Sequence, residues 1–310
     1  MIPESSRAGQ PLSMPLVDLR HAVGKFVAAR ARGLRIALGI PVEYRYERFS
    51  ILLPPDHMLP LYQPRHPRYD RFLPLLALHL SPDETVVDVG ANVGDTLAAM
   101  ADRNASLRYV CIEADDQFFG WLRRNIGRMQ AACPELRADA IQALVGRSVA
   151  GAALEGHGGT KHAVPGAAGG VESRPLDHVL AERDCGPVRL LKSDVDGFDY
   201  DAIDSSLRVV DADGPLLFFE CQCDTAAQKA GYERTLAALA ERGYVDWTVF
   251  DNFGATMLRT ADLNVVVQLI EYVWQQTRGR STRRIYYCDI LAARAADRAL
   301  VDRVLAEYDA

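Results

Sequence analysis

Apolar positions follow two patterns along this chain. Between residues 85 and 220, short apolar runs bounded by charged or small residues alternate with stretches of helical spacing. The runs predict strands at Thr85–Val89, Arg108–Glu113, near Ile141–Val145, Val188–Asp194 and Pro215–Glu220. The helical stretches are Asp95–Arg103, Asp116–Met129, Pro175–Arg183 and Tyr200–Ser205. Strands alternating with helices indicate an α/β fold, a parallel sheet with helices on both faces.

The pattern changes at both ends. "AQKAGYERTLAALAERGY" (227–244) is an amphipathic helix closed by Gly243. "DWTVFDNFG" and "RRIYYCDILAAR" then read as two late strands flanking a long helix-like insertion, "LNVVVQLIEYVWQQ", and a helix over 297–308 follows. Trp247 and Trp274 fall on core positions. Upstream, Leu16 to Leu38 has helical spacing and stops at Gly39-Ile40-Pro41. Prolines 54, 55, 60, 64, 67 and 74 make 49–80 irregular apart from a short strand in "FSILLPP" and a helix in "DRFLPLLALHL". Residues 1–80 are therefore expected to form an extension, half helical and half irregular, ahead of a domain over 81–310. The stretch 151–170 holds seven glycines and reads as a long loop or loose hairpin.

Of the 310 residues, 49% are apolar, enough for a sizeable core, and no apolar run reaches the length of a membrane span. The formal charge of −6 disfavours nucleic acid as a partner. Residues 1–50 depart from it, with eight Lys/Arg against four Asp/Glu, so this segment could dock on an anionic membrane surface or simply be a solvated helix face. Six scattered cysteines do not form a disulfide framework, and no leader-like N-terminus is read, so a cytoplasmic protein is expected.

Candidate chemistry begins at "VVDVGANVGDT" (86–96). Asp88 ends a strand, Gly90 and Gly94 bracket a tight turn, and a helix starts near Asp95. A pyrophosphate-binding loop would place a glycine where Asn92 stands, and the carboxylates of Asp88 and Asp95 would repel phosphate. A cationic, phosphate-free nucleoside suits the loop better. Glu113, 23 residues beyond Gly90 and followed by Ala114, ends the second strand, where an acid accepts hydrogen bonds from ribose hydroxyls. Together they favour S-adenosylmethionine.

"VRLLKSDVDGFDYDAID" (188–204) places Lys192, Asp194 and Asp196 at the tip of the fourth strand, with Asp199 and Asp201 explained by the start of a helix. Glu220 and Gln222 end the fifth strand. Two chemistries fit. Asp194 is a general base beside Lys192, or Asp194, Glu220 and Gln222 hold Mg²⁺ that acidifies a hydroxyl. For the acceptor, the candidates are His66, Tyr69 and Arg71 before the first strand, His162 (with His157) in the glycine-rich stretch, and Asp251 and Asn252 at the end of a late strand.

"VVDVGANVGD", "CIEADDQFFGWLRRNI", "SRPLDHVL", "LLKSDVDGFDYDAI" and "LLFFE", in this order, resemble the FkbM-type S-adenosylmethionine-dependent methyltransferases over roughly 83–295. Asp196 departs from the family's usual Glu. The resemblance implies a Rossmann-like class I sheet of seven strands with one reversed, and O-methylation, commonly of sugar hydroxyls in glycans or of natural-product hydroxyls. The tail "FDNFG…YYCDILAAR" resembles members associated with polysaccharide biosynthesis. A polyketide or peptide hydroxyl is the alternative acceptor, and a non-catalytic cofactor-binding scaffold the alternative of another class.

Overall fold

The computed structural model describes residues 30–147, 152–155, 162–165, 172–183, 185–278 and 285–310. These form two compact units, 30–42 with 54–56, and 43–53 with 57–310. In the small unit a helix over 30–37 ends at Gly39 (φ 64°), and Arg32 donates to the Asp56 carbonyl at 2.7 Å. Leu34, Leu38 and Ile40 are exposed there. The expected helix from Leu16 otherwise lies outside the described residues, as does His157.

The large unit is built on one sheet. We number its strands β1 (Thr85–Val89), β2 (Arg108–Glu113), β3 (Arg137–Gln142), β4 (Val188–Ser193), β5 (Leu216–Cys221), β6 (Tyr244–Asp251), β7 (Thr256–Thr260) and β8 (Cys288–Arg294). After a single turn of helix at Leu59–Tyr62, its α-helices are α1 (Phe72–Leu78), α2 (Asp95–Arg103), α3 (Asp116–Ala132), α4 (Leu176–Ala181), α5 (Asp199–Asp204), α6 (Leu207–Asp213), α7 (Ala226–Glu241), α8 (Leu263–Thr277) and α9 (Arg298–Tyr308). The strand order is β7-β6-β8-β5-β4-β1-β2-β3. β1 to β5 pair in parallel, whereas β8 runs antiparallel to both β5 and β6, and β7 antiparallel to β6.

The α/β sheet with helices on both faces is as expected, but it has eight strands and two reversals, not seven and one. The extra strand comes from "DNFGATMLRT". Gly254 (φ 83°) closes a turn that folds β7 back on β6, where the sequence reading had only the start of an insertion. The third strand also begins earlier, at Arg137. It is an edge strand with an exposed–buried alternation, a weaker signal than the continuous apolar runs of the centre. Every residue of β1 is buried, because helices cover it on both sides.

One face of the sheet (Val87, Val89, Leu191, Leu217, Phe219, Val249) packs on α4, α5, α7 and α8 through Leu176, Ile203, Tyr232, Leu236 and Val266. On the other face α1 and α9 meet the sheet through Phe72, Phe218, Phe250 and Tyr308, with the Phe72–Phe250 ring centroids 4.5 Å apart. Sequence-encoded caps start the helices around the site. Asp115 accepts from the Gln117 and Phe118 amides at α3, and Thr225 with Gln228 forms a capping box at α7.

Candidate active site

The carboxyl ends of β1, β2 and β4 converge on a cavity of about 310 Å³ lined by Gly90, Asn92, Glu113, Ala114, Phe118, Leu144, Val145, Asp194, Asp196 and Tyr200, among others. Gly90 (φ 74°) turns the chain off β1, and the Gly90 and Ala91 amides donate to the Ile112 carbonyl at 2.9 and 3.0 Å. A Cβ on Gly90 would stand 1.9 Å from the Asp194 carbonyl oxygen, so only glycine lets the first and fourth loops touch. Asn92 also has positive φ (48°), a conformation asparagine tolerates. Its amide donates to Glu113 Oε2 at 2.8 Å, and the Asp115 amide to Oε1 at 2.8 Å. Burial raises the Glu113 pKa, against which these amides work. Each oxygen keeps a lone pair for a ligand hydroxyl.

Three residues expected at the cofactor stand outside this lining. Register places Asp88 beside Lys192 on neighbouring strands, and the two form a buried ion pair at 2.9 Å. Gly94 (φ 84°) precedes α2, where a Cβ would press on Leu122 at 2.9 Å. Asp95 faces His57, 3.7 Å away. So of the two glycines in the turn, Gly90 serves the cavity and Gly94 serves helix packing.

Lys192 ties the loops together. Its Nζ lies 2.9 Å from Asp88, 3.2 Å from the Gly90 carbonyl and 3.5 Å from Asp194. Burial disfavours its charge, but Asp88 and Asp194 more than offset that and hold its pKa above the usual value. The Asp194 side chain is about half exposed (49%) and lines a second, smaller pocket on its other side. That pocket also receives Tyr69, Asp70, Arg71, Glu220, Asn252, Tyr287 and Asp289, with Phe218 and Phe250 as apolar walls. Asp196 (φ 51°) lines the larger cavity, its pKa pushed up to about 7 by burial and by Asp194.

The other acceptor candidates separate. Tyr69, Arg71 and Asn252 line the smaller pocket. His66 instead stacks on Phe253 (3.7 Å between centroids), and Asp251 accepts the Phe253 and Ala255 amides at 2.9 Å as a turn residue. His162 begins a strand paired with Ala152–Glu155 in a separate ribbon.

A magnesium site does not fit these residues. Gln222 lies outside the small pocket and donates to Asp224 at 2.6 Å, while the Lys192 ammonium stands against Asp194. Among the described residues no group of three His, Cys, Asp or Glu is arranged to hold a metal ion.

Sequence reasoning missed several contributors, of which three matter most. Asp199, read as a helix-start acid, is wholly buried. It accepts from the Ser193 hydroxyl (2.6 Å), the Val195 amide (3.1 Å) and the Tyr232 hydroxyl (3.3 Å), and so shapes the Asp194–Asp196 loop. Asn125 in α3 donates to the Leu52 and Val93 carbonyls (2.9 and 2.8 Å) and accepts the Leu52 amide (2.8 Å), clamping the glycine turn from behind. Asp289 reaches the site only because β8 is reversed. A lone Asn on an otherwise buried helix stripe was the one available signal, for Asn125.

Residues 88–245 match the methyltransferase FkbM domain. No curated protein matches the chain. Solved structures that resemble it include the methyltransferase FkbM from Methylobacillus flagellatus (15% identity, 76% of this chain and 58% of that chain, TM-score 0.37). They also include an O-methyltransferase from Bacillus cereus in complex with SAH (12%, 73% and 80%, TM-score 0.42). A third is an rRNA methylase from Streptococcus thermophilus (12%, 72% and 93%, TM-score 0.40). The domain match spans about half of the chain and contains the glycine turn, Glu113 and the Lys192–Asp196 loop, so this chain belongs to the FkbM methyltransferase family and is an S-adenosylmethionine-dependent methyltransferase.

Proposed function

We propose that the chain methylates a hydroxyl group of a sugar, as part of glycan or polysaccharide assembly. The observation that carries this reading is that Asp194 lines both cavities, and that the smaller one mixes carboxylates and an amide with aromatic walls. Hydroxyl groups need such acceptors and donors, and the apolar face of a sugar ring packs on aromatic rings. An acceptor without polar groups would leave the buried Glu220 carboxyl without a hydrogen-bond partner.

When bound, S-adenosylmethionine supplies an electrophilic methyl group. The Glu113 carboxylate holds the ribose hydroxyls, and the Gly90 turn, with Asn92 and Ala114, gives close backbone approach. Asp194 accepts the proton of the acceptor hydroxyl, and Lys192 keeps that carboxylate in place between the two cavities. The chain's work is orientation and proton removal, because attack on the methyl must be in line.

Asp194→Asn should lower turnover by about a hundredfold or more while sparing affinity for S-adenosylhomocysteine. Transfer of labelled methyl to free sugars, sugar nucleotides, a polyketide alcohol and RNA tests the acceptor. Transfer to the polyketide or RNA in place of every sugar overturns the proposal. Turnover is expected to survive EDTA, given how Gln222 and Lys192 are engaged.

A further inference from the structure

Glu220 and Asp289 are direct cross-strand partners on β5 and β8, so their side chains leave the sheet on the same face. Both line the acceptor pocket, together with Asp70 and Asp194. Two of the three cations lining that pocket are paired with carboxylates, and the third, Arg71, acts on Asp70. Lys192 pairs with Asp88 and Asp194, Arg68 pairs with Asp309 at 2.8 Å, and Arg71 donates to Gln63 at 3.3 Å. Glu220 is only 6% exposed, and its Oε1 is buried without accepting a hydrogen bond.

Like charges placed opposite each other on adjacent strands are destabilising, and a buried carboxylate without a partner is costly. Burial, then the charge of Asp194, raises the pKa of both Glu220 and Asp289. A neutral hydroxyl could donate to Glu220 but would leave the pair dependent on protonation to relieve the repulsion between its carboxylates. An ammonium group both donates and neutralises. Resting on the sugar reading above, we propose that the acceptor is an amino sugar whose protonated amine sits between Glu220 and Asp289, with the hydroxyl to be methylated at Asp194.

The test is calorimetry on the protein saturated with S-adenosylhomocysteine. The probes are methyl glucosides carrying a free amine at the 2, 3 or 4 position, their N-acetyl forms, and methyl glucoside itself. At least one free amine should bind about tenfold or more tightly than both its N-acetyl form and the parent. Glu220→Gln and Asp289→Asn should each bring that ratio towards one, while S-adenosylhomocysteine still binds each variant and so reports its folding. Equal binding of amine and parent, or a preference unchanged in both variants, overturns the inference. If methyl glucoside binds and is methylated with no amine preference, the inference fails and the sugar reading stands. If no sugar binds while S-adenosylhomocysteine does, both fail.

Discussion

Gly90→Ala isolates the contact on which the larger cavity depends. The new Cβ would lie 1.9 Å from the Asp194 carbonyl oxygen, 2.8 Å from its carbon and 3.1 Å from Val195 Cγ1. An ordinary C···O approach is about 3.3 Å, so the two loops must separate by roughly 1.4 Å. Asp194 cannot withdraw freely, since its amide donates to the Val89 carbonyl at 3.0 Å and its carboxylate lies beside Lys192. The left-handed backbone (φ 74°) adds about 1 kcal/mol for any residue with a Cβ, and the overlap about 1–3 kcal/mol more, for a total near 2–4 kcal/mol. Gly243→Ala is the matched control. Its φ is 85° but its Cβ would meet nothing within 4 Å, so it should cost only about 1 kcal/mol. Urea denaturation of both variants therefore separates backbone strain from collision. Gly90 and Asp194 both line the cavity, so Gly90→Ala should also weaken S-adenosylhomocysteine binding by about a hundredfold. Equal stability losses in the two variants, with unchanged affinity in Gly90→Ala, would refute the reasoning.

Three further predictions follow from the same geometry. Glu113→Ala strips the Asn92 and Asp115 amides of their acceptor along with the proposed ribose contact; calorimetry should show affinity for S-adenosylhomocysteine falling by about a hundredfold, and an unchanged value would remove Glu113 from the site. Asp199, buried, has its pKa pushed up from 3.8 to about 7, so the folded state holds a proton that the unfolded state has released, and its contribution to stability is lost as pH rises through that interval. The stability of Asp199→Asn relative to wild type should accordingly improve from about pH 5 to pH 8 in urea titrations, and a pH-independent difference would contradict the assignment. Asn125→Ala breaks three hydrogen bonds, two part-buried to Leu52 and one buried to Val93; a loss of about 2–4 kcal/mol in thermal denaturation is expected, and a neutral result would mean that the clamp does not hold the turn.

Much of the lining of the larger cavity was legible in the sequence because it is local. An apolar run, a glycine and an acid within a few residues dictate a strand, a turn and a side chain at its tip. Gly90, Asn92 and Glu113 accordingly line one cavity. Asp88 and Gly94 stand outside that lining, where lateral register and helix packing, neither visible along the chain, set their surroundings.

The smaller pocket depended on contacts between distant segments. Asp289 faces Glu220 only through the antiparallel insertion of β8 between β5 and β6, and Tyr69 and Asp70 join them from a segment some 150 residues before Glu220. Nothing in "YYCDILAAR" marks its direction, since strand periodicity is the same for parallel and antiparallel pairing. The sequence by itself determined the alternation of strands and helices, the turn after β1 and the acid at the tip of β2, because these follow from backbone sterics and from the periods of apolar burial. The tertiary structure alone decided which way β8 runs, which carboxylates meet at Asp194, and that Lys192 closes on Asp88, because those outcomes rest on lateral strand order and register.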